Sequence, residues 1–332
     1  MKEIESVNSR KENWSNYWKQ GLLDSCARTI ESADSEITQY WKNVAESIQA
    51  NQTIVDLCTG AGAVIKELTQ MLGDNEVQST KFYGVELSSY PNQEVEYKQR
   101  IGIANLELFN NTSIEKIPLS DQSVDLLVSQ FGVEYALSDD FYSEVARLLK
   151  VSGKVNFVMH HSNSILYRVA NEEAAHYKFI NEEIDLFGIL EQLVPYFALL
   201  KNPANKAKLD KDPKALQIRN LFNQALNDIK LAASKSNHPD LLHDILNSAG
   251  TSLNLARNEN KKVALEFIKH LKQQFKDSYG RSIELLDAAL SKAELEEVVN
   301  KFADHFPNSN EIKEMSSNNQ IVAWGLSLER TG

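Results

Sequence analysis

The order of apolar and polar positions divides the chain into four stretches. Up to residue 50, Trp41, Val44, Ala45 and Ile48 recur at helical spacing behind a Ser/Asp-rich start at residues 32–35. This is the pattern of an amphipathic helix with capping residues ahead of it. From 51 to 163, short apolar runs such as Ile54-Val55-Asp56-Leu57, Tyr83-Gly84-Val85 and Phe157-Val158-Met159 alternate with helical patterns. That alternation predicts a parallel sheet with crossover helices. From 164 to 305 the pattern is helical without a clear strand. It includes Ser291-Lys292-Ala293-Glu294, a capping box that opens a helix toward Phe302. From 306 onward strand character returns, most clearly in Ile321 to Leu328.

Strands, then a long helical block, then strands again predict one sheet interrupted by an insertion. Two tandem domains are the alternative, but a C-terminal hairpin is marginal alone and needs a sheet to join. The expectation is therefore a doubly wound, mostly parallel α/β fold. Residues 51–163 and 306–332 form the α/β domain, 1–50 an N-terminal helical lid, and 164–305 an all-helical insertion covering the substrate.

A length of 332 residues suits one domain with a large elaboration. The two cysteines, Cys26 and Cys58, make neither a disulfide framework nor a zinc pattern, which fits a reducing, cytoplasmic setting. The polar N-terminus has no apolar signal region. The most apolar stretch, Leu186 to Leu200, is interrupted by Glu191, Gln192 and Pro195 and reads as a buried helix, not a membrane span. It is the core of the helical block, with a pocket wall or a homodimer interface as alternatives. A net charge of −11 repels phosphate backbones and disfavours nucleic acid as a partner. Lys206, Lys208, Lys211 and Lys214 are interleaved with Asp210 and Asp212 and read as a solvated face.

The strongest local signal is Thr53-Ile54-Val55-Asp56-Leu57-Cys58-Thr59-Gly60-Ala61-Gly62, followed by the helical pattern Ala63 to Leu68. Glycines allow a sharp turn and close approach to a ligand. The helix that follows offers unpaired N–H groups and a positive dipole end. Such a turn suits a nucleotide-like cofactor at the carboxyl edge of a sheet. A dinucleotide fingerprint needs a small residue where Ile65 stands, and no Gly-Lys-Ser/Thr follows for a phosphate loop. A second strand, from Lys81, ends at Glu86, an acid that can accept both hydroxyls of a ribose.

These segments resemble class I S-adenosylmethionine-dependent methyltransferases, and four ordered segments between residues 52 and 161 carry the resemblance. Asp56 to Gly62 matches the family's acidic and Gly-rich loop, with Cys58 where a glycine is usual. Glu86 matches its ribose-binding acid. Asn111 to Ser129 is similar to the segment ahead of the fourth strand, and Glu144 to Lys154 to the helix and turn before the fifth. The resemblance implies a seven-stranded sheet whose last strand, Ile321 to Leu328, is antiparallel beside the fifth. It implies S-adenosyl-L-methionine as cofactor, held by Asp56, Thr59, Gly60, Gly62, Glu86 and Leu87. Ser113 would stand in for the family's adenine-binding Asp, beside the Ile114 backbone N–H. Ser129 and Gln130 would lie near the methionine end.

Methyl transfer asks the protein to position two reactants and exclude water, with a general base where the acceptor must lose a proton. His160 and His161 at the end of the fifth strand, and Glu134 after the fourth, are the candidate catalytic groups. No metal is expected. Trp14, Tyr17 and Trp18 share one helix face, as part of a lid or of a core face, and Trp18 is expected beside the cofactor. The reading is a methyltransferase acting on a small molecule held between the α/β domain and the insertion. The alternatives are a protein methyltransferase, or a non-catalytic binding protein working through its helical block. The family's amide methylases carry an Asn/Asp-Pro-Pro-Tyr motif that Gln130-Phe131-Gly132-Val133 does not match.

Overall fold

In the computed structural model, residues 7–19, 35–89, 93–103, 105–303, 306 and 310–331 are described. Cys26 and residues 32–34 of the Ser/Asp-rich start lie outside them. Seven strands form one sheet: β1 Thr53–Leu57, β2 Lys81–Val85, β3 Leu106–Phe109, β4 Val124–Gln130, β5 Leu149–His160, β6 Asn310–Ser317 and β7 Gln320–Glu329. Their order is β3-β2-β1-β4-β5-β7-β6. Strands β1 to β5 pair in parallel. Strand β7 runs antiparallel beside β5, and β6 antiparallel to β7. This is the Rossmann-like sheet, with its reversed last strand, that the sequence led us to expect. The C-terminal hairpin joins the sheet and does not stand alone.

The strands sit where they do because their apolar runs are buried on both faces, as parallel sheets require. Ile54, Val55, Val124, Leu127, Val155 and Val158 are all fully buried. The core extends through Phe141, Phe157, Trp324 and Leu326. Since β1 is flanked by β2 and β4, the chain order reverses at β1/β4. The carboxyl ends of those two strands open the crevice in which doubly wound sheets bind ligands.

Helices α1 Val7–Trp18, α2 Glu36–Glu46, α3 Ala63–Met71, α4 Asp74–Ser79, α5 Gln93–Ile101 and α6 Asp139–Leu148 accompany the sheet. Ser35 caps α2 by accepting from Ile37 N–H. One face of α2 buries Ile37, Trp41, Val44 and Ala45. The hydroxyl of Tyr40 reaches Asn156 Oδ1 at 3.1 Å and the Leu326 carbonyl at 3.0 Å, and Glu36 pairs with Lys313 at 3.0 Å. Trp41 Nε1 donates to Gln130 Oε1 at 2.6 Å. Helix α2 is thereby tied to both the hairpin and the end of β4.

Further α-helices among the described residues are α7 Ile165–Lys178, α8 Leu186–Leu199, α9 Lys206–Leu209, α10 Pro213–Ala233, α11 Asp240–Asn258, α12 Lys261–Ala288 and α13 Lys292–Phe302. The chain divides into two compact units, residues 1–168 with 284–332, and residues 169–283. The second unit has its own core, in which Phe187, Leu190 and Val194 of α8 meet Phe222 and Ile229 of α10 and Ile245 of α11. Each such side chain contributes roughly 1.5–3 kcal/mol by leaving water. In the first unit α13 opens with the capping box read from the sequence: Glu294 N–H donates to Ser291 Oγ at 3.3 Å and Ser291 N–H to Glu294 Oε2 at 2.8 Å. No helix among the described residues is long and apolar enough to cross a membrane.

Candidate functional site

Beyond Leu57 the chain must leave the sheet and enter α3 within a few residues. It does so through three left-handed positions, Cys58 at φ 56°, Gly60 at 54° and Gly62 at 87°. Cys58 takes the conformation that a glycine adopts freely, which costs an L residue roughly 1–2 kcal/mol. The turn is held by Thr59 N–H donating to the Val85 carbonyl at 3.0 Å and Gly62 N–H to the Thr59 carbonyl at 2.8 Å. It lets Gly60 N–H donate to Glu86 Oε2 at 2.8 Å, while Ser88 N–H donates to Glu86 Oε1 at 2.8 Å. Thr59 Oγ1 donates to Asp56 Oδ2 at 2.5 Å and lies 3.0 Å from the hydroxyl of Tyr97.

A cavity opens here, at the carboxyl ends of β1, β2 and β4. Asp56, Thr59, Gly60, Glu86, Leu87 and Ser88 line one side of it. Ser113, Ile114, Gln130, Phe131 and Tyr135 line another, and Arg10, Lys11, Trp14 and Trp18 of α1 face it. Nine residues expected beside a cofactor meet in it: Asp56, Thr59, Gly60, Glu86, Leu87, Ser113, Ile114, Gln130 and Trp18. Gly62 and Ser129 serve the walls. A Cβ on Gly62 would lie 2.7 Å from both Ile101 and Tyr97 side chains, and the Ser129 hydroxyl donates to the Leu57 carbonyl at 2.7 Å. The Ser113 hydroxyl is engaged with Glu115, 3.1 Å from its carboxylate and 3.2 Å from its N–H.

The two acids give the cavity its electrostatics. Burial, opposed by the Thr59 hydrogen bond and aided by the nearby Glu86, pushes Asp56 up to about 7. Burial also raises Glu86, against the N–H groups of Ser88, Gly60 and Leu87, which favour its charged form. Asp56 Oδ1 is buried without a hydrogen-bond partner among the described residues. A buried carboxylate oxygen left unpaired at the wall of a cavity marks a candidate ligand contact. Burial drives the Cys58 thiol well above its ordinary range, so it holds its proton.

The three candidate catalytic groups lie elsewhere. His160 is buried, stacked on Phe131 with ring centroids 4.4 Å apart, and burial pushes its imidazole down to about 3. Its backbone N–H donates to Glu134 Oε1 at 2.8 Å, and burial lifts Glu134 to about 7. His161 stacks on Trp324 at 4.2 Å, accepts from Asn163 N–H through Nδ1 at 2.8 Å and sits 3.2 Å from Glu314. Phe131 and Tyr135, against which His160 packs, line the cavity together with Arg10 and Lys11.

Helix α1 faces the cavity through a stripe spaced four apart, Arg10, Trp14 and Trp18. Trp14 and Trp18 stack at 5.7 Å, and a Cβ on Gly60 would lie 2.4 Å from the Trp18 ring. Arg10 donates to the Tyr135 carbonyl at 3.0 Å, Trp14 Nε1 to Glu284 at 3.2 Å, and Lys11 to Asn111 Oδ1. The four-residue spacing of Arg10 to the tryptophans was available in the sequence as a sign that this cation shares their face.

The description of a methyltransferase domain matches residues 55–157, which span β1 to β5 and most of the cavity wall. The match to the methyltransferase-domain model is confined to those residues, about a third of the chain. Similar solved structures include a SAM-dependent methyltransferase from Aquifex aeolicus, at 20% identity over 45% of this chain and 73% of that one, TM-score 0.34. Another is a Haloferax volcanii putative methyltransferase in complex with the Trm112 methyltransferase activator, at 18% identity over 45% and 60%, TM-score 0.35. A third is geranyl diphosphate C-methyltransferase from Streptomyces coelicolor A3(2), at 18% identity over 48% and 66%, TM-score 0.33. The chain spans less than two thirds of the length of the Haloferax and Streptomyces proteins. No curated protein matches it.

Proposed function

We propose that the chain is an enzyme that transfers a methyl group from S-adenosylmethionine to a small-molecule acceptor. The observation that carries this reading is the pairing of an orphaned carboxylate oxygen, Asp56 Oδ1, with Glu86 in one cavity at the strand-order reversal. The residues fit the cofactor by chemistry. Asp56 offers an unpaired anion to its ammonium, Glu86 keeps lone pairs for ribose hydroxyls, and Leu87 and Ile114 offer apolar surface to the adenine. When bound, the cofactor supplies an electrophilic methyl group on a sulfonium. The protein's share is to bind, orient and exclude water.

The acceptor is argued from what lines the rest of the cavity. Trp14, Phe131 and Tyr135 give aromatic surface, and Arg10 and Lys11 add positive charge. No imidazole lines the cavity among the described residues, and Cys58 holds its proton. This supports an acceptor that is nucleophilic without help from a protein base, such as a free amine or a carboxylate. Production of S-adenosylhomocysteine across a panel of such acceptors is the test. Turnover by that class, with no loss of rate on His160→Gln beyond its effect on stability, is expected. Turnover confined to simple alcohols, abolished by His160→Gln at unchanged melting temperature, would overturn the base-free form of the reading.

A pH dependence follows from Asp56. A carboxylate raised to about 7 in the folded chain holds a proton that the unfolded chain has already lost. The free protein therefore loses stability as pH rises from the ordinary carboxylate range of about 4 toward 7. A bound ammonium favours the charged form, so cofactor binding releases a proton at pH 6. Affinity for S-adenosylhomocysteine is expected to rise about tenfold from pH 6 to 8, and Asp56→Asn to flatten that profile. Calorimetry in two buffers of different ionisation enthalpy checks both.

A further inference from the structure

Two features of residues 169–283 take no part in the methyl-transfer site. One is the end of the α8 apolar face that its core leaves half-buried; the other is the lysine-rich stretch that follows. They meet at one cavity of about 280 Å³. Its apolar lining includes Leu193, Tyr196, Phe197 and Leu200 from α8, with Leu209 and Ala215 from α9 and α10. The charged residues around it are Lys206, Arg219, Arg257 and Asp210.

The charge is not a sampling accident of a charged surface. Residues 169–283 hold 16 Lys and Arg against 14 Asp and Glu, whereas the whole chain holds 35 against 46, so the helical unit is the basic part of an acidic protein. Within the cavity lining, three cations face one carboxylate. Asp210 engages Arg219 at 3.1 Å, on the exposed side of both. Arg257 and Lys206 are exposed and make no ion pair among the described residues. The N–H groups at the start of α10 are already taken by the Asp212 cap, which accepts from Lys214 and Ala215. The positive charge on offer therefore comes from side chains.

An apolar floor with a cationic rim complements one kind of molecule: an apolar tail ending in an anionic head. The volume is just below the usual range of ligand pockets, about 300 to 1,000 Å³. It suits a single medium-length chain. We propose that the helical unit carries a second binding site, separate from the methyl-transfer cavity, for a free monomeric carboxylate amphiphile. Its tail lies on Leu193, Tyr196, Phe197 and Leu200, and its carboxylate is met by Arg257 and Arg219, with Lys206 adding charge. The sequence pattern taken for a solvated lysine face is then partly the rim of this site. The proposal does not depend on the cofactor reading.

The test is calorimetric titration of the full chain with decanoate, below its micelle range, and with decanol as the neutral match. Saturable one-to-one binding of decanoate is expected, with decanol at least tenfold weaker. The Arg219→Ala, Arg257→Ala double variant should weaken decanoate at least tenfold at an unchanged melting temperature. Its affinity for S-adenosylhomocysteine should equal that of the parent chain. Three results would each overturn the proposal: no saturable decanoate binding, equal affinity for decanol, or an unaffected double variant. Binding to anionic phospholipid vesicles without binding of monomeric decanoate would overturn it as well. Loss of S-adenosylhomocysteine binding with decanoate binding intact would count against the methyltransferase reading and leave this one standing.

Discussion

Glu86→Ala is expected to weaken S-adenosylhomocysteine binding about a hundredfold. Each hydrogen bond to a charged group contributes roughly 1.5–3 kcal/mol, and a hundredfold loss corresponds to about 2.7 kcal/mol. Glu86 does two things at once. Its carboxylate fixes the glycine turn by accepting from Gly60 N–H and from Ser88 N–H, each at 2.8 Å. The lone pairs that remain face the cavity. Two variants separate these roles: Glu86→Gln keeps a carbonyl acceptor for one of the two amides and removes the charge, so about a tenfold loss is expected. After burial, the nearby Glu86 also helps to raise the Asp56 carboxyl. Removing Glu86 is expected to lower the pKa of Asp56 and to weaken the pH dependence of stability. An Ala variant that binds as tightly as the parent would remove Glu86 from the site.

Trp41→Ala is expected to cost about 3–5 kcal/mol of stability, the usual range for deleting a buried aromatic. Trp41 is fully buried, and its ring is packed edge-on against Tyr40 at 5.3 Å. It also ends in the 2.6 Å hydrogen bond to Gln130, whose side chain lines the cavity. Trp41→Phe keeps most of the volume and drops the donor. It is expected to cost roughly 1–3 kcal/mol for leaving the Gln130 oxygen unpaired. It should also loosen a residue beside the ligand, seen as a few-fold loss of affinity out of proportion to the stability change. Denaturant melts of both variants, paired with calorimetry, check this. Equal melting midpoints for parent and Ala variant would show that α2 is not anchored as described.

The sequence announced the part of the site that is local. Asp56, Gly60 and Glu86 lie at the ends of two adjacent strands, so strand–turn–helix periodicity placed them together before any packing was known. The reversed last strand was legible too, from the apolar run at Ile321 to Leu328 and the family resemblance. The histidines show where that legibility stops. An imidazole at the end of a catalytic-edge strand is a natural base, but its pKa is set by burial, which is a tertiary property. His160 lies under Phe131, and His161 is held against Trp324. The 3-10 helix Val133–Ala136 sends Glu134 inward and Tyr135 to the cavity, a phase that a segment of four residues does not reveal. Arg10 and Lys11 reach the site only because α1 packs over the glycine turn, a contact made across more than forty residues of chain. The insertion was visible as a helical block, but the cavity within it needs α8, α10 and α11 to be brought together.

The most direct measurement of the central claim is calorimetric titration of the parent chain with S-adenosylhomocysteine at pH 7.5, repeated with Asp56→Ala. One-to-one binding in the micromolar range, weakened at least tenfold in the variant, is the result the two-acid cavity requires. No heat of binding up to millimolar ligand, or equal affinity in parent and variant, would contradict it.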